Sequence, residues 1–342
     1  MSIIVVGAGL HGLAAARALA QRGREVVVLE QFRLGHTRGS SHGVSRVFRL
    51  SYPEKEFVRL AQEAREGWRE LEREAGAELL VTTGTLDIGD YAADNEAAMA
   101  ECGVDCARLD ADEVARRFDV AVQRDALYQP DGGLLLADRC LAAFAAGARA
   151  AGAALRENVR VTGLEQDANG VRIGTSDGTI DAETVVVAAG AWAPRLLATA
   201  GVDLDAAPSR ETVVYARPAH ERLSLPAVIE ETEPGRIVYA LQAPGIGIKG
   251  GIHASGPLTD PDEEESPSQE IADEVEAWFR SVFGDYELLR AETCLYTNRP
   301  HERFALERHG SIVVGSACSG HGFKFAPVVG ERLATLAEEA FR

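Results

Sequence analysis

Two periods of apolar residues alternate in blocks along the chain. Ser2-Ile3-Ile4-Val5-Val6 carries an unbroken apolar run from Ile3 to Val6, which predicts a strand buried on both faces of a parallel sheet. It leads into Gly7-Ala8-Gly9-Leu10-His11-Gly12, then a helix of small residues from Leu13 to Arg22 stopped by Gly23, then a second apolar strand, Glu25 to Leu29, ending on Glu30. Phe57, Leu60, Ala61, Ala64, Trp68 and Leu71 recur at helical spacing and predict one amphipathic helix from about Glu54 to Glu74. A strand-like run, Leu79 to Ile88, follows. Beyond it lie a polar helical stretch, Ala92 to Asp119, and a turn at Gln129-Pro130-Asp131-Gly132-Gly133. Leu135 to Ala151 predicts an alanine-rich helix; Asn158 to Gly163, Gly170 to Ile173 and Gly178 to Ile180 read as strands. Thr184 to Trp192 is a buried strand ending in small residues, expected beside the first strand, where the chain turns close to a ligand.

Between Pro208 and Cys294 the texture changes to strand-like alternation, as in Glu211 to Tyr215 and Arg236 to Tyr239, which predicts a second, largely antiparallel sheet. Within it the acidic run Asp260 to Glu265 is expected as a solvated loop. The first texture then returns as a strand, Ser311 to Gly315, a polar loop, Gly320 to Lys324, and a helix, Val328 to Phe341. The glycine loop before that helix offers a second place where negative charge is stabilised. No internal repeat or low-complexity linker separates the textures. The expected fold is therefore α/β: a Rossmann-like dinucleotide-binding domain (1–85, 135–205 and 295–342) interleaved with a mainly antiparallel β-sheet plus helices (86–134 and 206–294), the substrate domain.

The spacing of the first block gives it chemistry. Gly7 permits a tight turn, Gly9 lets the backbone approach a pyrophosphate, Gly12 lets helix and strand pack closely, and the helix N-terminus faces the anion. Glu30 stands where a carboxylate accepts hydrogen bonds from a ribose diol, and it would repel a 2′-phosphate, which disfavours NADP.

Composition narrows the picture. The 342 residues suffice for two domains, and 46% hydrophobic with 26% charged residues describes an ordinary globular protein. A formal net charge of −18 works against nucleic acid and anionic membranes as partners. No apolar run reaches the roughly 20 residues that span a bilayer, and no basic leader precedes the first strand, so the expected address is the cytoplasm. Five scattered cysteines make no disulfide framework. Cys102 and Cys106 could share a helical face, but nothing nearby completes a metal set, and no metal is expected.

Four further segments, in order, resemble the monomeric sarcosine oxidase family within the wider D-amino acid oxidase-like group of flavoenzymes. They are Gly39-Ser40-Ser41-His42-Gly43-Val44-Ser45-Arg46-Val47-Phe48-Arg49, Gly247-Ile248-Lys249-Gly250-Gly251-Ile252-His253, Cys294-Leu295-Tyr296-Thr297 and Ser319-Gly320-His321-Gly322-Phe323-Lys324-Phe325. The resemblance runs from Ile3 to about Leu336 and implies FAD as cofactor. Cys294 matches the cysteine that forms a thioether to the 8α carbon of FAD. Lys249, the one charged residue between Leu241 and Gly251, matches an oxygen-activating lysine. Arg49 and Lys324 match the pair that holds the substrate carboxylate; His253 belongs to the same pocket, and Tyr239 is expected to line it. His42 and Arg46, with Ser45 nearby, match residues against the flavin ring. Further cofactor contacts are implied at Val161, Gly190, Trp192, Gly320, Gly322 and Lys324.

The implied reaction is FAD-dependent oxidation of a sarcosine-like N-methyl or other secondary amino acid to an imine, with oxygen returned as hydrogen peroxide by a monomer. Alternatives on the same fold are a flavin-dependent dehydrogenase, a 2-hydroxy acid oxidase and a tailoring or imino-acid oxidase. The chain departs from the family at Ser41, where a second histidine is usual, and between Gln242 and Gly245, which is one residue shorter. The second departure borders the substrate pocket and puts sarcosine itself in doubt.

Overall fold

The computed structural model describes residues 2–219 and 225–339. A six-stranded sheet forms around the first strand, in the order Ala305–His309, Ile312–Ser316, Thr184–Val187, Ser2–Val6, Glu25–Leu29, Ala154–Arg156. All neighbours are parallel except the Ala305–His309 edge. Thr184–Val187 pairs directly with Ser2–Val6, Ile3 opposite Thr184, as the sequence suggests. Alternation explains why the first strand is apolar from Ile3 to Val6. Ile3 and Val5 face a core built with the helix Leu10–Gln21, whereas Ile4 and Val6 face a three-stranded antiparallel sheet, Val161–Asp167, Gly170–Thr175 and Gly178–Ala182. Small residues let the first helix lie against the last one, Ala326–Glu338: a Cβ on Gly330 would stand 2.6 Å from the Ala14 Cβ.

The second texture becomes an eight-stranded sheet: Tyr286–Asn298, Ala207–Pro218, Gly247–Ile252, Arg236–Ala243, Ala227–Glu233, Thr85–Ile88, Ala126–Gln129, Ala107–Leu109. It is antiparallel apart from the pairing of Ala227–Glu233 with Thr85–Ile88. The helix Gln269–Phe283 covers one face with Val275, Trp278 and Phe279. Ile248 and Gly250 turn to that helix, Gly250 leaving room for the Phe279 ring, so alternation sends Lys249 to the opposite face. A small sheet of Ser45–Phe48, Gly133–Leu136 and Leu80–Thr82 joins the two parts.

Several expectations change in detail. The run from Leu79 to Ile88 is two strands in different sheets, broken at Thr83-Gly84, where Gly84 takes φ +83°. The polar stretch from Ala92 to Asp119 is two helices, Ala92–Glu101 and Ala111–Phe118, separated by a short strand; Cys102 caps the first and Cys106 lies outside it, so the two share no helical face. Leu135 and Leu136 end a strand before the Ala137–Ala150 helix begins. The first helix starts at Leu10 because the last residues of the fingerprint are already helical. Of the final helix, Ala340 and Phe341 lie outside the described residues. The boundaries expected at 85/86 and 294/295 fall inside strands Thr85–Ile88 and Tyr286–Asn298. The acidic run is ordered rather than loose. Asp262 accepts from Trp192 Nε1 at 2.7 Å, Arg195 at 2.6 Å and Arg160 at 2.8 Å, which outweigh its partial burial and hold its carboxyl well below the ordinary value. Among the described residues no helix is long and apolar enough to cross a membrane.

Candidate active site

Between the two large sheets lies a cavity of about 730 Å³, lined by residues of all the singled-out segments. The glycine turn forms one wall. Gly7 takes φ +100°, and a Cβ there would stand 2.5 Å from the Ala188 carbonyl oxygen; a Cβ on Gly12 would be 2.0 Å from Gly7 O. No side chain fits either place, so the helix N-terminus is pressed against the strand and opens on the cavity. Glu30 is 5% exposed. Its oxygens accept from Ala8 N–H at 2.8 Å and Phe32 N–H at 2.9 Å, and His36 Nε2 is 3.5 Å away. Burial alone would raise its pKa, but these three partners prevail and lower it. Ser41, the departure from the family pattern, accepts the Leu10 N–H at 3.1 Å and so occupies one amide of the helix's first turn. Gly9, Val161, Gly190 and Trp192 also line the cavity.

A second cluster carries Lys249, Arg46, His42 and Cys294, all at the cavity surface. Arg46 is held by backbone oxygens, donating to Ser45 O at 2.9 Å, Ser40 O at 3.0 Å and His42 O at 2.6 Å, with its guanidinium 5.5 Å from the Phe323 ring centre. Burial and then Arg46 lower His42 to about 4, so its ring is neutral, and its buried Nδ1 has no partner among the described residues. Lys249 is 4% exposed, with Nζ 5.9 Å from the Tyr215 ring centre; burial and Arg46 push its pKa well down. A lysine so placed takes a proton when negative charge develops beside it. Burial pushes the Cys294 thiol up to about 11, against Arg46 and Lys249, the two cations able to stabilise its thiolate.

The third cluster joins Arg49 to Lys324 through Tyr52. Lys324 Nζ donates to Tyr52 OH at 2.8 Å and His321 O at 2.7 Å; the Arg49 guanidinium lies 5.0 Å from the Tyr52 ring centre. Trp68, from the amphipathic helix, fixes the Lys324 backbone by donating Nε1–H to its carbonyl at 2.7 Å. Burial, then Arg49, drives the Lys324 pKa well down, so that a second positive charge beside Arg49 is costly until an anion arrives. His253 Nε2 pairs with Glu302 at 2.8 Å, and Tyr239 lines the same cavity. Gly320 takes φ +74°, and a Cβ there would be 2.3 Å from the Tyr296 ring and 2.5 Å from His253. At Gly322 a Cβ would meet Ala317 O at 1.4 Å.

Of the eighteen residues of the expected site, sixteen reach the cavity wall, whereas Gly12, pressed against Gly7, and Ser45 do not. Ser45 is fully buried and spends its hydroxyl on Gln242 O at 2.7 Å, so it holds the Ser45–Phe48 strand to Arg236–Ala243 and does not touch the cavity. Residues not singled out from the sequence include Glu302, Tyr91 and Asp87. Asp87 had a visible signal, a carboxylate between Leu86 and Ile88 in a strand; Glu302 had none, since its position depends on two successive residues at φ 55° in a turn.

A model of the family described as FAD dependent oxidoreductase matches residues 2–336. The chain is 32% identical to monomeric sarcosine oxidase of Bacillus sp. (strain B-0618), over 98% of this chain and 91% of that one. It is 30% identical to N-methyl-L-tryptophan oxidase of Salmonella dublin, over 98% and 94%. The solved structure of NikD, an unusual amino acid oxidase essential for nikkomycin biosynthesis, superposes with a TM-score of 0.89 at 30% identity, covering 99% of this chain and 94% of that one.

Proposed function

Because the chain belongs to the FAD-dependent oxidoreductase family, we propose that it oxidises sarcosine-like N-methyl or other secondary amino acids to imines, passing the electrons to oxygen as hydrogen peroxide. The enzyme is a flavoprotein, and its residues fit FAD. Glu30 and the Gly7–Gly12 turn would hold the adenosine and pyrophosphate, with Val161, Gly190 and Trp192 alongside. The unpartnered Nδ1 of His42, with Arg46, Gly320 and Gly322, would meet the ring, and Cys294 would bond it covalently. Bound FAD supplies a two-electron acceptor.

The observation that carries the substrate class is the cation pair of half-buried Arg49 and buried Lys324. Arg49 and Lys324 come from opposite ends of the chain, yet Tyr52 ties them to one patch of the cavity. A carboxylate there meets a planar fork and a compact ammonium, and both costs of burial fall when it binds. Tyr239, Ile229, Ile237 and Leu241 give the neighbouring wall an apolar surface that excludes water from the carbon next to that carboxylate. Lys249 belongs to the other cluster, where it would meet negative charge left after electron transfer and favour oxygen as acceptor. The proposal includes a monomer acting in the cytoplasm; all five cysteines are free, in keeping with a reducing compartment.

A panel of N-methyl amino acids, proline and pipecolate, assayed by oxygen uptake and peroxide release, should identify an amino acid that bleaches the flavin and yields peroxide. Arg49→Ala should raise KM roughly a hundredfold, about 3 kcal/mol, with flavin content unchanged. Equal losses of flavin and substrate would instead place Arg49 on the cofactor, and reduction by a 2-hydroxy acid alone would overturn the amine reading.

A further inference from the structure

The Arg49–Lys324 pair forms the patch that receives one substrate carboxylate, and the fold places an acid directly behind Arg49. Asp87 is fully buried in the Thr85–Ile88 strand, an expensive position for a carboxyl group. Its Oδ1 accepts from Arg49 Nη1 at 3.2 Å and from Tyr91 OH at 3.2 Å. Oδ2 is buried, and the carboxyl group also interacts with the Ser51 hydroxyl. Asp87 does not line the cavity; it stands behind Arg49 and Tyr91, which do. Burial pushes its pKa up and Arg49 pulls it back. Glu302, which hydrogen-bonds His253 and lines the cavity, is a second acid near Lys324; Asp87 is the acid in direct contact with Arg49.

We propose that Asp87 is a specificity-determining residue: its carboxylate behind Arg49 offsets part of the clamp's positive charge, so that the site accepts ligands bringing one carboxylate and rejects those bringing two. The inference rests on Arg49 and Lys324 being the carboxylate clamp of the proposed function. A dicarboxylate in this pocket meets Asp87 with its second charge uncompensated, and in a site largely closed to water that repulsion is weakly screened. Removing Asp87's charge while keeping its shape should relax the restriction.

Acetate and malonate, titrated into the FAD-loaded protein and followed by the visible flavin spectrum at about pH 8, above the ordinary carboxyl range, test this directly. Asp87→Asn should tighten acetate by roughly tenfold and malonate by a larger factor, the scale of one nearby charge removed from a partly screened site. Asp87→Ser removes the same charge with less bulk and should shift the acetate-to-malonate ratio the same way, which keeps the test in hand if the asparagine variant fails to fold. Unchanged or weaker binding of both anions, or an unaltered ratio, overturns the proposal. Arg49→Met separates the two layers. If it weakens acetate while Asp87→Asn leaves the ratio alone, the clamp stands and the specificity role falls; if Arg49→Met leaves acetate unaffected, the clamp falls and the role of Asp87 with it.

Discussion

Exchanging Glu30 for glutamine separates what this carboxylate does for the fold from what it does for the cofactor. The side chain is buried, and its two oxygens accept from Ala8 N–H at 2.8 Å and Phe32 N–H at 2.9 Å. Glutamine keeps the length but offers one carbonyl oxygen, so its amide nitrogen faces one of those N–H donors. A buried N–H left without an acceptor costs about 1–3 kcal/mol, and the surviving bond loses about 1 kcal/mol of charge assistance. The resulting loss of about 2–4 kcal/mol corresponds to a melting temperature lower by about 4–8 °C, at about 2 °C per kcal/mol for a chain of this size. The sign with pH follows from the lowered pKa. A carboxyl held below its ordinary 4.5 contributes stability that is present above that value and is lost as pH falls through the folded pKa. The gap between wild type and Glu30→Gln should therefore narrow in acid. Melting of the flavin-free protein, in a Cys294→Ala background from which FAD can be removed, measures the structural part; FAD titration measures the rest. An unchanged melting temperature with weakened FAD binding would refute the structural role, and no change in either would refute the fingerprint itself.

Two further outcomes follow from the middle cluster. Acid precipitation of the FAD-loaded protein should leave the flavin in the pellet, and Cys294→Ala should release it to the supernatant; a colourless pellet from the unaltered protein excludes the covalent bond. Lys249→Met should slow reoxidation by oxygen by roughly a hundredfold, the usual scale for one preorganised electrostatic group, while anaerobic reduction by substrate keeps its rate in stopped-flow absorbance. Slowing of both half-reactions alike would move Lys249 to the substrate.

The nucleotide-binding half of the fold was legible because its physics is local. Ser2 to Glu30 holds strand, turn, helix and strand in register, and each glycine answers a contact a few residues or one strand away. Four motifs sufficed to bring Arg49, Lys249, Cys294 and Lys324 to one cavity. What escaped was non-local. Asp262 lies in an acidic run that composition assigns to solvent, and only the fold brings Arg160, Arg195 and Trp192 around it. Ser45 sits beside cavity residues in sequence, but strand alternation turns it away toward Gln242. The break at Thr83-Gly84 was hidden because both flanking segments are apolar, although they enter different sheets.

The order of strands in the six-stranded sheet also constrains when the protein can become an enzyme. Its centre pairs Ser2–Val6 with Thr184–Val187, which in turn pairs with Ile312–Ser316. During synthesis the first strand therefore lacks its partner Thr184–Val187 until half the chain is made, and the first helix lacks the last helix, Ala326–Glu338, until nearly all of it is. Contacts of such long sequence separation form slowly. The nascent chain carries its glycine turn from the outset but cannot enclose a cofactor until Lys324 has left the ribosome, so flavin capture belongs to the final step of folding.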